Sequence, residues 1–480
     1  MPEPCLLGVD LGTSGVKALA LRLDGRVLAE AVREYPVEVA GPGWAETDPT
    51  LWWQATAAAV REVLASGTYD VVGIGVDGQM HGVVLCDGAG VPVRPALLWP
   101  DTRAQAEVEQ WRRLAEPQRA ALANPLVAGM AGPLLLWVER HEPQAYARAR
   151  VALSPKDWLR YRLTGEFATD PSDASATLLW DVPGDRWATE TVDAVGLDRA
   201  LLPEVRPSGA LAGQLTAAAA GELRLAEHGQ PVAVGAGDTA AAVFATGLRD
   251  PGDAQLSVGS GAQLVRPLHR PTGTADPRTH VYRAATHDAS SRWYAMAAVQ
   301  NAGIALDWVR GLLGLAWDDL YAAAAAGPGE VTFVPYLTGE RSPVLEPRSL
   351  GAWLGMGLAT DRATLAGAAV EGVAFAIRHA YEALPSAQQP AEVRLTGGGG
   401  SSPVFRALLA DVLGLPLRPT ALRSASAVGA AMLGAAAAGL AQPAVSLVTG
   451  DLVEPGRPGR YEQAYQRYRD SVARLRRAQG

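Results

Sequence analysis

Cysteine is nearly absent from this chain: 480 residues hold two, Cys5 and Cys86. That excludes a disulfide framework and any site built on paired cysteines, and it fits a reducing compartment. Clusters of lysine and arginine are lacking too, and the formal net charge is -8. Binding a phosphate backbone needs a basic face, so no nucleic-acid partner is expected. No long run of strongly apolar residues occurs. The most membrane-like stretch, SAVGAAMLGAAAAGLA at 426–441, owes its hydropathy to Ala and Gly. Those residues insert poorly, so a buried helix is expected there and no membrane partner. The opening MPEPCLLGVDLG has no basic region ahead of an apolar stretch, unlike a signal peptide, and a cytoplasmic protein is expected. A G-x-x-x-x-G-K-[ST] phosphate loop is also missing.

What is present reads as a two-domain enzyme. The length exceeds what one core holds, and 48% hydrophobic with 19% charged residues is ordinary for a soluble globular protein. LLGVD, VKALALRLD and RVLAEAVREY, separated by glycine turns, predict a β-meander. A helix capped by Asp48 or Thr50 follows, with Pro49 in its first turn. DVVGIGVDG and GVVLCD read as strands and DTRAQAEVEQWRRLA as an amphipathic helix. AQLSVGSGAQLVRPL at 254–268 repeats the strand, glycine turn and strand of LLGVDLGTSGVKALAL at 6–21. A duplicated α/β unit around a cleft is expected. Its units would be 1–247 and 254–445, divided at GLRDPGDAQ, with a tail over 446–480.

The stretch GIGVDGQMHG, Gly73 to Gly82, contains a literal G-x-G-x-x-G. A dinucleotide fingerprint requires a helix to open at that turn, because the helix N-terminus holds the pyrophosphate. Here VVLCD follows, another strand, and the dehydrogenase reading is rejected.

Phosphate cradles are the better use of glycine. In DLGTSGVK the Gly12-Thr13-Ser14-Gly15 turn offers backbone N–H groups and two hydroxyls, with Asp10 placed to hold Mg²⁺ through water. A plain hairpin turn capped by Asp10 is the alternative. SVGSG at 257–261 offers a second cradle. Asp238, in VGAGDTAA, has only small neighbours, so an alcohol could approach and lose its proton there; an N-cap or Asx turn is the bland alternative. LTGGGGSSPVFR puts four glycines between a strand and a helix, a flat surface for an adenine or else a linker. His81 sits in a glycine-flanked turn, as ligand contact or satisfied structural group.

In this order the pieces resemble the FGGY family of carbohydrate kinases over nearly the whole chain. The likeness is carried by GVDLGTSGVKA, GWAETDPTLWW, GQMHG, LLWVERHEP, PKDWLRYRLTGEFATDPSDAS, GAGDTAA, FVPYLTGERSP and TGGGGSSPVFRALLAD. GQMHG points to the members acting on D-xylulose. The resemblance implies an α/β fold of two ribonuclease-H-like domains, as in actin and hexokinase, flanking a deep catalytic cleft. It implies ATP and Mg²⁺ as cofactors and phosphorylation of the 5-hydroxyl of D-xylulose; a homodimer is left open. Asp238 would be the catalytic base and Asp10 the catalytic, Mg²⁺-associated carboxylate. Gln79, Met80, His81 and Asp238 would bind the sugar. Thr13 and Ser14 would meet the transferring phosphate, and Gly259 and Ser260 the other phosphates. Gly398, Gly399 and Ser402 would lie near adenosine, with Gly303 and Asp307 flanking the nucleotide. Departures from the family are Thr239 for Asn, Pro100 for Asn, Leu134 for Lys, and Ala131 for Thr, Ser or Pro. They leave another ketose or a polyol, of ribulose or arabitol type, as an alternative substrate. A noncatalytic actin-like sugar and nucleotide binder is the remaining alternative.

Overall fold

The computed structural model describes residues 2–286, 292–385, 388–457 and 459–479. The predicted meander forms as β1 (Glu3–Leu11), β2 (Gly15–Arg22) and β3 (Val27–Glu34), each antiparallel to the next. Cys5 to Val9 of β1 are all buried, as suits a strand covered on both faces. Gly12 N–H donates to Gly15 O at 2.9 Å and closes the first turn. In α1 (Pro49–Ala65) Asp48 is the N-cap, accepting from Thr50 N–H with Pro49 in the first turn. β4 (Tyr69–Gly78) then returns parallel to β1. The helices α2 (Pro155–Thr164) and α3 (Pro171–Ala174) follow, then β5 (Leu211–Gln214), β6 (Pro231–Ala233) and β7 (Ala236–Gly237). Helix α4 (Asp238–Thr246) begins directly after β7. The sheet order is β5-β6-β4-β1-β2-β3, with β7 also paired to β4.

The second half builds a sheet on the same plan. Its strands are β8 (Gln255–Val258), β9 (Ala262–Leu268), β10 (His280–Arg283), β11 (Trp293–Val299), β12 (Val393–Thr396), β13 (Leu417–Ala421) and β14 (Val448–Thr449), in the order β10-β11-β9-β8-β12-β13-β14. The run β11-β9-β8-β12-β13 matches β3-β2-β1-β4-β6, with antiparallel neighbours on one side of the hairpin and parallel ones on the other. The expected duplication is therefore present in topology. Its longer helices are α5 (Gly303–Leu313), α6 (Arg362–Glu382), α7 (Pro403–Leu413), α8 (Ala425–Ala437) and α9 (Glu462–Gln479). Phe375 of α6 packs among Tyr461, Tyr465 and Tyr468, which seats α9. Among the described residues no helix is long and apolar enough to cross a membrane.

The alanine- and glycine-rich stretch forms the buried helix α8, and it lies on the first sheet although it comes from the second half of the chain. Glycine makes this contact possible. A Cβ added at Gly75 would sit 1.8 Å from Ala430 O, and one at Gly8 would sit 2.1 Å from Ala427 O. Gly73 and Gly75 of GIGVDG thus serve backbone contact between strand and helix, while Gly78 packs against Leu11 and Lys156.

Two local expectations are corrected. DTRAQAEVEQWRRLA is not one helix: a short 3₁₀ turn, Arg103–Gln105, precedes a five-residue helix, Val108–Arg112. Asp101 accepts from both the backbone N–H and the guanidinium of Arg103, which tightens the first turn, and Ala104 leaves helical geometry (φ -81, ψ 20). GVVLCD contributes only Val84–Cys86, which pairs with Val151–Leu153 rather than joining the first sheet.

Gly75→Ala is expected to lower the unfolding free energy by about 3 kcal/mol, because backbone must shift to admit the methyl. Gly221→Ala, where an added Cβ meets nothing within 4 Å, is expected to raise it by up to about 1 kcal/mol as a helix-propensity gain. Urea unfolding of both variants checks this, and similar effects of the two would refute the packing account.

Candidate active site

Three carboxylates end up side by side because three strands end together. Asp10 lies opposite Asp77 in the β1–β4 register, and Ala236 and Gly237 of β7 lie opposite Asp77 and Gly78. Asp238, the first residue of α4, therefore emerges beside them. Asp77 is fully buried, and among the described residues no N–H or O–H reaches either of its oxygens. Burial and the neighbouring Asp10 and Asp238 charges hold Asp77 well above the carboxylate range. Burial also raises Asp10, against the Asp77 hydrogen bond and Lys17. Asp238 is pushed up to about 6, by burial first and the Asp10 charge second, while hydrogen bonds from Thr239 oppose the rise.

A buried frame supports this edge. Lys156 of α2 lies 2.6 Å from Asp157, 3.0 Å from Asp170 and 3.5 Å from Asp173, all inaccessible to solvent. Burial opposes the Lys156 charge, but the three carboxylates outweigh it and hold the ammonium protonated. Ser172 donates to Asp170 at 2.7 Å and accepts the Gly237 N–H at 2.9 Å. The residue before Asp238 is thereby tied to the ion cluster.

The turn after β4 carries the other expected residues. His81 has positive φ (75°), and its Nδ1 lies 2.9 Å from Ala176 O. A carbonyl only accepts, so Nδ1 carries the hydrogen and Nε2 is left as an acceptor. Burial, with help from Arg341, pushes His81 down to about 4, so the ring is neutral. Met80 packs on Gly237, and its sulfur is 4.0 Å from the Tyr294 hydroxyl. Gln79 turns the other way: its Nε2 donates to Gly12 O at 3.3 Å, bracing the first glycine turn. In that turn Thr13 accepts from Trp99 Nε1–H at 2.9 Å, and Ser14 is exposed.

The second glycine turn is built against α5. Gly303 N–H donates to Gly259 O at 3.0 Å and Ile304 N–H to Ser260 O at 2.9 Å; a Cβ at Gly303 would lie 2.4 Å from Gly259 O. Gly399 packs on Val258, the last residue of β8, and Gly398 is open. Gly259, Ser260, Gly303, Gly398 and Gly399 thus gather at one end of the second sheet. Ser402 spends its hydroxyl as the N-cap of α7, accepting from Phe405 N–H. Asp307 is exposed and paired with Arg310 at 2.8 Å, away from the turn. A cavity of about 490 Å³ runs from Asp238 and Thr239 past Ser257 and Gln263 to Thr396, Gly397 and Arg423. It connects Asp238 at the edge of the first sheet with Gly397, which opens the four-glycine turn of the second.

The two halves of the chain match, over residues 5–245 and 256–438, the N-terminal and C-terminal domains of the FGGY family of carbohydrate kinases. The chain belongs to that family. It is 35% identical over 421 residues to the xylulose kinase of Klebsiella pneumoniae, covering 86% of this chain and 85% of that one. It is 34% identical to the crystal structure of a xyloylose kinase from Brucella ovis, with a TM-score of 0.91 and 99% and 100% of the two chains covered. A gluconate kinase from Lactobacillus acidophilus, 22% identical with a TM-score of 0.90 over 99% and 98% of the chains, shares the fold. The protein is thus a carbohydrate kinase of the actin- and hexokinase-like architecture, and sugar kinases of this family use ATP as phosphate donor.

The departures from the family pattern now have locations. Leu134 and Ala131 are buried in the core of the helix Ala131–His141, away from the cavity lining. Thr239 spends both its N–H and its hydroxyl (3.2 Å) on Asp238. Residue-by-residue reading had overlooked Asp77, Trp99 and Arg341, although each stands inside a motif already picked out or one residue from one: VDG, LWPD and GERSP.

Asp238→Asn is expected to fold and, above pH 6, to be more stable than the wild type by about 1–3 kcal/mol. The sign follows from a folded value near 6 against an ordinary 3.8: ionising Asp238 in the fold is costly, and the cost fades as pH falls from 6 toward 4. Thermal unfolding across that range measures the gap, and a less stable variant at pH 8 would contradict it.

Proposed function

We propose that this kinase transfers the terminal phosphoryl group of ATP to the 5-hydroxyl of D-xylulose, with Asp238 as general base. The observation that carries the reading is a half-buried carboxylate, its pKa pushed up to about 6, at the wall of the cavity that reaches Gly397. As the sugar oxygen bonds to phosphorus, its proton passes to Asp238, and the electrons of the breaking phosphorus–oxygen bond leave with ADP. Neutral His81, with Nε2 free to accept, would orient a sugar hydroxyl. Met80 would support the carbon chain. Backbone N–H groups of the Gly12–Gly15 and Gly259–Gly261 turns would hold phosphate oxygens.

The residues fit Mg²⁺ held through water. Asp77 presents two hard oxygens that nothing among the described residues satisfies, with Asp10 opposite it in the strand register. Among the described residues no cluster of three or more ligating side chains forms a direct cage, which suits an ion carried on nucleotide phosphates. When bound, it supplies charge neutralisation to those phosphates. The units 1–247 and 254–445 would be the bodies that close over both substrates. Thr239 in place of Asn keeps a second reading open, a kinase for another ketose or a polyol.

ADP release should be measured with D-xylulose, L-xylulose, D-ribulose, L-ribulose, xylitol, D-arabitol and glycerol. Preference for D-xylulose is expected, with turnover reduced about 10²–10⁴-fold in Asp238→Asn. A different preferred sugar would move the substrate, and an active Asp238→Asn enzyme would remove the base. The acid limb of kcat/KM is expected near pH 6, shifted upward in Thr239→Ala because that hydroxyl favours the ionised carboxylate. An unmoved limb in that variant would detach the profile from Asp238.

A further inference from the structure

Around His81 and Trp99 stand three polar groups from the second half of the chain, His280, Tyr282 and Arg341. His280 and Tyr282 lie on β10 with ring centroids 5.4 Å apart, and their rings are 6.3 and 5.6 Å from that of His81. Tyr282 is fully buried and His280 is 4% exposed. Yet neither the Tyr282 hydroxyl nor His280 Nδ1 has a hydrogen-bond partner among the described residues. The Arg341 guanidinium stacks over Trp99 at 4.9 Å, and among the described residues no carboxylate pairs with it. Its neighbour Glu340 accepts the backbone N–H groups of Gln300 at 2.6 Å and Arg341 at 2.8 Å instead. Buried polar groups left without partners are costly, and they persist in native proteins where a ligand or water completes them.

The order of the groups along the site is fixed. The His280 and Tyr282 rings neighbour His81, whereas Met80, the residue before it, packs on Gly237, the residue before Asp238. Met80 and Tyr294 stand between the two ends, in contact at 4.0 Å. We infer that His280, Tyr282 and Arg341 read the C1–C2 end of the acceptor sugar, donating hydrogen bonds to a 2-keto oxygen. The inference rests on the proposed reaction, in which the 5-hydroxyl lies at Asp238. A keto oxygen only accepts, and Arg341 only donates. A polyol hydroxyl there must also place a hydrogen of its own, which Arg341 cannot take and which would use up the accepting side of Tyr282 or an imidazole, so the trio favours a ketose over its reduced form.

Initial rates with D-xylulose and with xylitol, for wild type, Tyr282→Phe, Arg341→Lys and Arg341→Gln, test this. For D-xylulose kcat/KM is expected to fall about 10–100-fold, mainly through KM, with KM for ATP unchanged. The preference for ketose over polyol should narrow by about tenfold. Tyr282→Phe removes only a hydroxyl without a partner, so its thermal stability should match or exceed wild type; it decides the matter if an Arg341 variant fails to fold. Unchanged KM for D-xylulose in Tyr282→Phe, or equal losses on both sugars, would overturn the inference while leaving the reaction intact. A wild type inactive on D-xylulose would overturn the reaction, and the inference with it.

Discussion

The contact of α8 with the first sheet is backbone against backbone, and the active edge depends on it. With no Cβ at Gly8 or Gly75, carbonyls of Ala427 and Ala430 come within van der Waals reach of strand α-carbons. Gly429 brings the same helix against Ala241 of α4, the helix that Asp238 begins. One helix from late in the chain therefore fixes the spacing of β1, β4 and α4, and with them Asp10, Asp77 and Asp238. Close-packed interfaces of this kind admit little adjustment. That rigidity suits a reaction in which positioning and charge compensation are most of what a protein can contribute.

Holding three carboxylates together in a buried edge is unfavourable for folding, and the fold manages the repulsion by unequal protonation. Asp77 keeps a proton, and Asp238 is left near the point where it can release or take one. The Lys156 cluster fixes Gly237 through Asp170 and Ser172. Stability is sacrificed locally at this edge, and the carboxylate with the raised pKa stands at the cavity wall.

Periodicity and turn chemistry made much of the fold legible. The two glycine hairpins, the Asp48-capped helix and the buried α8 could be read because local signals there agree with the tertiary structure. The stretch Asp101–Ala115 could not, since a side-chain bond between Asp101 and Arg103 overrides the apolar spacing. At the site, residues whose surroundings are local, such as Asp10, Asp238 and the glycine turns, were visible as motifs. Asp77, Trp99 and Arg341 were not, because their roles arise from neighbours far away in sequence: Asp10 across a parallel pair, Thr13 across 86 positions, and Trp99 from the other half of the chain. Ser402 caps a helix and Asp307 pairs with Arg310 one turn along its own helix, both local bonds within single elements.

The position of α8 also bears on how the protein is born. A nascent chain released only as far as residue 247 has every strand of the first sheet but not the helix that covers its glycine-bearing face. That cover is made nearly two hundred residues later, at Ala425–Ala437. Vectorial folding, in which one domain finishes before the next emerges, is therefore closed to this chain. Its first half waits, incompletely buried, for the ribosome to deliver its last layer, and that interval is when chaperones and proteases have their opportunity.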